Sequence, residues 1–191
     1  MSISVLIRLL KRSFLDKLTG KKEQTITKED STKRPTYDQL ATTAKSFILA
    51  TSPKTAGGNE PDHDRFLSFC AQNFTHSWGH KHFVSTAPGV QGIIDGNGFL
   101  ERMGKLSGRM KTWTITPTET LVDVEKKMVA VRADFTIVMS GHEHEAVVND
   151  IVWYVTMDES GEKVVDSREF IDPMAGKAIA EQMQSAATAS T

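Results

Sequence analysis

The stretch 145–172, EAVVNDIVWYVTMDESGEKVVDSREFID, limits the fold more than any other part of the chain. It reads as two long strands joined by a tight acidic turn at 158–161. The first strand carries Val147, Val148, Ile151, Val152, Trp153, Tyr154 and Val155, a density of β-branched and aromatic side chains that suits a half-buried sheet. The second runs over 163–172 and stops at Pro173, which has no N–H to give to a ladder. Strict alternation puts Asn149, Ile151, Trp153 and Val155 on one face of the first strand. It puts Val165, Ser167, Glu169 and Ile171 on one face of the second. An amide and a carboxylate on otherwise apolar faces are costly unless paired, so their presence points to a cavity.

Upstream, the helical spacing of Leu40, Ala44, Phe47 and Ile48 behind Thr36 predicts a helix over 36–50 with Thr36 as its cap. A second helix is expected over 62–72, burying Phe66, Leu67, Phe69 and Cys70, and a third over 98–106. Strands are expected over 111–122, 128–139, 144–157 and 163–172, with hairpin-like turns between them. A closing helix follows over 173–184. Helices followed by consecutive antiparallel strands predict an α+β domain, with three helices on one face of a curved sheet.

The 191 residues suffice for one buried domain with tails, here expected as a basic extension and linker (1–35), the domain (36–184) and a disordered tail (185–191). A net charge of −1 gives no reason to expect a nucleic-acid partner. Cys70, the single cysteine, excludes an intramolecular disulfide and reads as a buried, inert thiol. Residues 1–18 form an apolar helical stripe (Ile3, Leu6, Ile7, Leu10, Phe14, Leu18) interspersed with Arg8, Lys11, Arg12 and Lys17. Such a helix can make peripheral contact with an anionic membrane or serve organelle targeting, against the plainer reading of a mobile extension or a helix docked on the domain or a partner subunit. The expected location is cytoplasmic, with membrane-peripheral or organelle-targeted variants resting on that helix alone.

Glu169 is the first candidate for chemistry, because desolvation on an apolar face raises a carboxyl toward useful acid/base strength. The alternatives are an ion pair with a neighbouring-strand partner such as Arg132, or a solvent-facing register. His76 and Trp78 leave the second helix where a pocket wall would form. The histidine suits proton transfer or a backbone-bonded core position, and the tryptophan suits packing on a flat apolar ligand. His142 and His144 have the spacing of two metal ligands on a strand, but they sit at a hairpin turn and no motif supplies a third. No metal site and no cofactor are expected. The glycine-rich pieces 89–92 and 96–98 lack the lysine and strand–loop–helix setting of a phosphate loop.

This order of elements, with the segments Asn149-Asp150-Ile151-Val152-Trp153-Tyr154 and Asp166-Ser167-Arg168-Glu169-Phe170-Ile171-Asp172, resembles the cone-shaped nuclear-transport-factor-2-like fold of the SnoaL-like and ketosteroid-isomerase-like superfamily. The likeness spans roughly 36–184 and is nearest to small fungal members that act as isomerases, cyclases or rearrangement catalysts. It implies a pocket lined at the positions of His76, Asn149 and Glu169, and a homodimer. It departs from the steroid isomerases and scytalone dehydratase, whose aspartate and histidine layouts are missing.

The combined expectation is an isomerase, cyclase or dehydratase that works without a cofactor on a hydrophobic polyketide-, terpenoid- or alkaloid-like metabolite. Glu169 would transfer the proton, His76 would be its acid/base partner and Asn149 would hold an oxyanion. Trp78, Trp153 and Phe170 would shape the pocket, although alternation puts Phe170 opposite Glu169. The competing expectation is a non-catalytic small-molecule or protein-binding module of the same fold.

Overall fold

The structure, a computed structural model, describes residues 34–188. The expectations for the basic helix of 1–18 lie outside those residues.

Helix α1 (Tyr37–Leu49) starts where expected, with the Thr36 hydroxyl accepting the Gln39 N–H at 3.2 Å. Its stripe of Leu40, Ala44, Phe47 and Ile48 is fully buried. Helix α2 (His63–Phe69) is shorter than its apolar run suggests, because the chain turns extended at Cys70 and enters strand β1 (Cys70–Trp78). Helix α3 (Lys81–Thr86) and a 3₁₀ turn (Pro88–Val90) follow, in a stretch that reads as polar loop. Helix α4 (Gly96–Ser107) is capped by Asp95, whose carboxylate accepts the Gly98 N–H at 2.8 Å. Strands β2 (Met110–Asp123), β3 (Met128–Met139), β4 (Val147–Met157) and β5 (Val164–Phe170) come next, and helix α5 (Pro173–Thr188) closes the chain.

Two expectations need correction here. The sheet is not a strongly curved, purely antiparallel cone: it is mixed and open, in the order β1-β5-β4-β3-β2. The pairs among β2 to β5 are antiparallel, whereas β1 runs parallel to β5, pairing Thr75–Trp78 with Asp166–Glu169. Parallel pairing joins segments about ninety residues apart, with no hairpin turn to announce it. Among the described residues there are also five α-helices: four (α1 to α4) precede the long strands where three were expected, the extra one being α3, and α5 is the expected closing helix.

Helix α1 lies on β2 and β3, α4 on β1 and β2, and α5 on β4 and β3. The core between helices and sheet is rich in aromatic rings. Phe66 stacks on Phe99 with centroids 4.7 Å apart, and Phe47 meets Phe66, Phe74 and Trp153 within 5.8 Å. Such offset and edge contacts add to the burial of each ring. The opposite face of the sheet carries the polar network. There Arg132 bonds Asp150 at 2.6 Å and Glu119 at 2.9 Å, so it is not the partner of Glu169.

Alternation in β5 holds from Ser167 onward but slips before it. Asp166 faces Thr156, whereas Val164 faces Met157, so one extra residue bulges out at Val165. Val164, not Val165, therefore takes the inward place, and Ser167 and Glu169 still point to the core face.

Candidate functional site

The sheet register sets the site. In β5, Glu169 lies between Trp78 of β1 and Trp153 of β4, while Ser167 lies between His76 of β1 and Val155 of β4. Two adjacent rows of the same face thus bring together side chains from three strands. The helices do not close fully over this end of the sheet, and a cavity of about 780 Å³ remains. Its floor is buried and includes Glu169, Trp153, Asn149 and Ile151, and Trp78 and Phe99 stand in its wall. Phe83 of α3 and Ile179 of α5 border it from the helix side.

Glu169 is 8 % exposed. Burial pushes its carboxyl up to about 7, a shift that a hydrogen bond from Trp78 partly opposes. At neutral pH it can therefore hold or release a proton with little free-energy cost. His76 stands directly behind it and is completely buried. Its Nδ1 is 2.8 Å from Ser167 Oγ, and its Nε2 is 3.8 Å from Glu169 Oε2. The second distance is too long for a hydrogen bond, and among the described residues Nε2 has no other partner. Burial, then the positive charge of Arg102, push the imidazole down to about 3. A neutral ring beside a carboxyl of pKa near 7 is a close polar contact, not an ion pair. The ring is wedged edge-on to Trp78 and Phe99, with centroids at 4.4 and 4.8 Å.

Asn149 is 4 % exposed on the cavity floor. Its Oδ1 accepts the backbone N–H of Asp172 at 3.0 Å, which settles the orientation of the amide. The two protons on Nδ2 then have no protein partner among the described residues. The indole N–H of Trp153 is likewise buried without one.

Four of the six residues singled out in the sequence border the cavity: Glu169, Asn149, Trp78 and Trp153. His76 touches Glu169 from the core side. Phe170 is the correction: alternation turns it to the other face, where its ring meets His80 at 5.2 Å and Tyr154 at 5.3 Å and covers Gly79. It does not shape the pocket.

Arg102 of α4 escaped the sequence reading. Its guanidinium lies 4.8 Å from the centre of the Trp78 ring and donates to the carbonyls of Gly89 at 3.1 Å and Gln91 at 2.9 Å. The signal was available: Arg102 is three residues after Phe99 and four before Leu106, a charge on the apolar stripe of its helix.

Among the described residues, no group of three or more His, Cys, Asp or Glu side chains is placed to hold a metal ion. His142 instead bonds Ser185 at 2.8 Å and approaches Glu145 at 3.3 Å. Among the same residues, no helix is long and apolar enough to cross a membrane.

No family model matches the chain, and no curated protein matches it in sequence. Solved structures do match. BvnE pinacolase from Penicillium brevicompactum is 16% identical, with a TM-score of 0.63, over 78% of this chain and 97% of that one. PrhC from Penicillium brasilianum NBRC 6234 is 13% identical, with a TM-score of 0.62, over 78% and 89%. A Jannaschia sp. CCS1 protein assigned as a SnoaL-like polyketide cyclase is 14% identical, with a TM-score of 0.53, over 73% and 92%. Identities this low speak for the fold alone: the described domain has the SnoaL-like, nuclear-transport-factor-2-like α+β fold.

Proposed function

We propose that this protein is an acid/base enzyme that isomerises, cyclises or dehydrates a hydrophobic metabolite of polyketide, terpenoid or alkaloid type. One observation carries the reading: Glu169, with a pKa near 7, stands on the floor of a largely apolar cavity. A solvent-facing glutamate or a filled core would have favoured a binding module. The likeness in fold to proteins named as a pinacolase and a polyketide cyclase supports a rearranging or ring-forming reaction.

In this reading Glu169 moves the proton. Removing one from a carbon next to a carbonyl leaves negative charge on oxygen. The Nδ2 protons of Asn149, held in direction by the Asp172 contact, are available to stabilise it. Trp78 and Trp153 hold flat apolar surface on either side of Glu169. His76 stays neutral and acts through Glu169: Ser167 fixes its ring, and Nε2 keeps a polar edge beside the carboxyl. It is a positioning residue, not a second acid. Asn149 and Glu169 thus need no group beyond this chain for a proton transfer.

The test is incubation of the protein with a panel of polyketide and terpenoid metabolites in D₂O, followed by mass spectrometry for rearranged, dehydrated or deuterated products. Glu169→Gln should lose any such product while keeping its circular dichroism. Turnover that survives Glu169→Gln removes the assignment.

A further inference from the structure

The cavity has an uneven charge distribution that its apolar lining does not require. Its buried end holds Glu169. Its exposed side, where α4 runs into β2, holds Lys105 and Arg109, and half-buried Arg102 also lines it. Among the described residues no acid other than Glu169 lines it, in a chain whose net charge is −1. Lys105 is compensated by Glu101 at 2.6 Å. Neither arginine has an ion pair among the described residues: Arg102 bonds two carbonyls and lies over the Trp78 ring, with Glu101 near enough to feel its charge without pairing, and the Arg109 guanidinium has no hydrogen-bond or ion-pair partner. A guanidinium at the rim of a low-dielectric pocket attracts anions more strongly than one on open surface, and its planar fork suits a carboxylate.

We propose that the ligand is an amphipathic organic acid: an apolar, ring-containing body that lies between Trp78 and Trp153, with a carboxylate or similarly acidic oxygen at one end seated by Arg109 and Arg102. This deepens the proposed function and rests on its reading of the cavity as the ligand site. The anion seat would fix which end of the molecule enters first, and so which carbon meets Glu169. Arg102 ties that seat to the chain around the pocket, because its contacts with Gly89 and Gln91 hold the segment after α3 against α4.

The test compares 9-anthracenecarboxylate with its methyl ester, a pair of equal ring size that differ in charge. Binding is followed by quenching of tryptophan fluorescence at pH 8 and low salt. The wild-type protein should bind the acid at least about tenfold more tightly than the ester, and added salt should narrow the gap. Arg109→Gln, which breaks no hydrogen bond or ion pair among the described residues, should cut the preference severalfold. The double variant Arg102→Gln, Arg109→Gln should abolish it.

Equal binding of acid and ester, or a preference that survives the double variant, overturns the anion seat and leaves the apolar cavity standing. Failure of both probes to bind overturns the cavity reading as well. Glu169→Gln removes a negative charge from the same cavity and should keep or strengthen the preference for the acid, so loss of catalysis and loss of the anion seat are read separately.

Discussion

His76 and Glu169 face each other across 3.8 Å at the junction of core and cavity, and burial moves their proton affinities in opposite directions. Desolvation disfavours the charged form of each, so the imidazole stays neutral and the carboxyl holds its proton up to about pH 7. If Glu169 is the acting group, activity should follow a single ionisation near pH 7, with none from His76 between pH 5 and 9. A pH–rate profile that needs a second ionising group in that interval, lost in His76→Gln, would contradict the neutral ring.

The same shifts predict how stability depends on pH. For Glu169 the folded-state pKa is raised from 4.5 to about 7, so its contribution is full below pH 4.5 and is lost as pH rises through 7. For His76 it is lowered from 6.5 to about 3, so stability is lost as pH falls from 6.5 toward 3. Between pH 4.5 and 6.5 the two slopes oppose each other, each about 1.4 kcal/mol per pH unit at most. Glu169→Gln removes one of them. Urea denaturation at a series of pH values should show the variant gaining on wild type from pH 4.5 to 7 and then holding a constant lead. A difference that does not vary with pH would mean that Glu169 is solvated.

Asn149→Asp keeps an oxygen for the Asp172 N–H but replaces the cavity-facing donor with an acceptor. Loss of one such donor typically costs about 10²–10³ in turnover. The expected result is a fall of that order in kcat with ligand binding largely retained. An unchanged kcat would leave Asn149 as a structural tie between β4 and the chain after β5.

Removing the Ser167 hydroxyl strands His76 Nδ1 in the core, where it has no other partner. Ser167→Ala should destabilise the fold by about 1–3 kcal/mol, read from the shift in the denaturation midpoint. It should also disturb the Glu169 ionisation, which a purely structural serine would leave in place.

Gly79 is where the ring of Phe170 crosses the backbone, and a methyl group there would run into that ring. Gly79→Ala should therefore cost about 1–3 kcal/mol as an overpacked site. Phe170→Ala should lower stability without changing ligand preference, because the ring lies on the face away from the cavity. A change in ligand selectivity with Phe170→Ala would revise that account.

Local pattern determined much of this protein. The hydrophobic alternation of 147–157 is a property of consecutive residues, and the strand forms there with the expected face, which is why Asn149 and Trp153 could be assigned to one side. In 164–170 the alternation holds only from Ser167 onward, which still places Glu169 on the core face. Thr36 and the spacing of Leu40, Ala44, Phe47 and Ile48 likewise specify α1 within a few residues.

What local pattern could not supply was contact between distant segments. Residues 70–73 show no alternation and follow an apolar helix, and the alternation of Phe74, His76 and Trp78 with Thr75 and Ser77 is too short to announce a strand by itself. Their strand exists only because β5 offers a parallel edge, and that pairing makes the sheet mixed and carries His76 and Trp78 to Glu169. The bulge at Val165 is hidden for a similar reason, since a register shift is a relation between two strands. Arg102 joined the site only when α4 was laid beside β1. Periodicity is local, so it yields elements and faces; the meeting of His76, Trp78, Arg102 and Glu169 depends on packing, which only the tertiary structure decides.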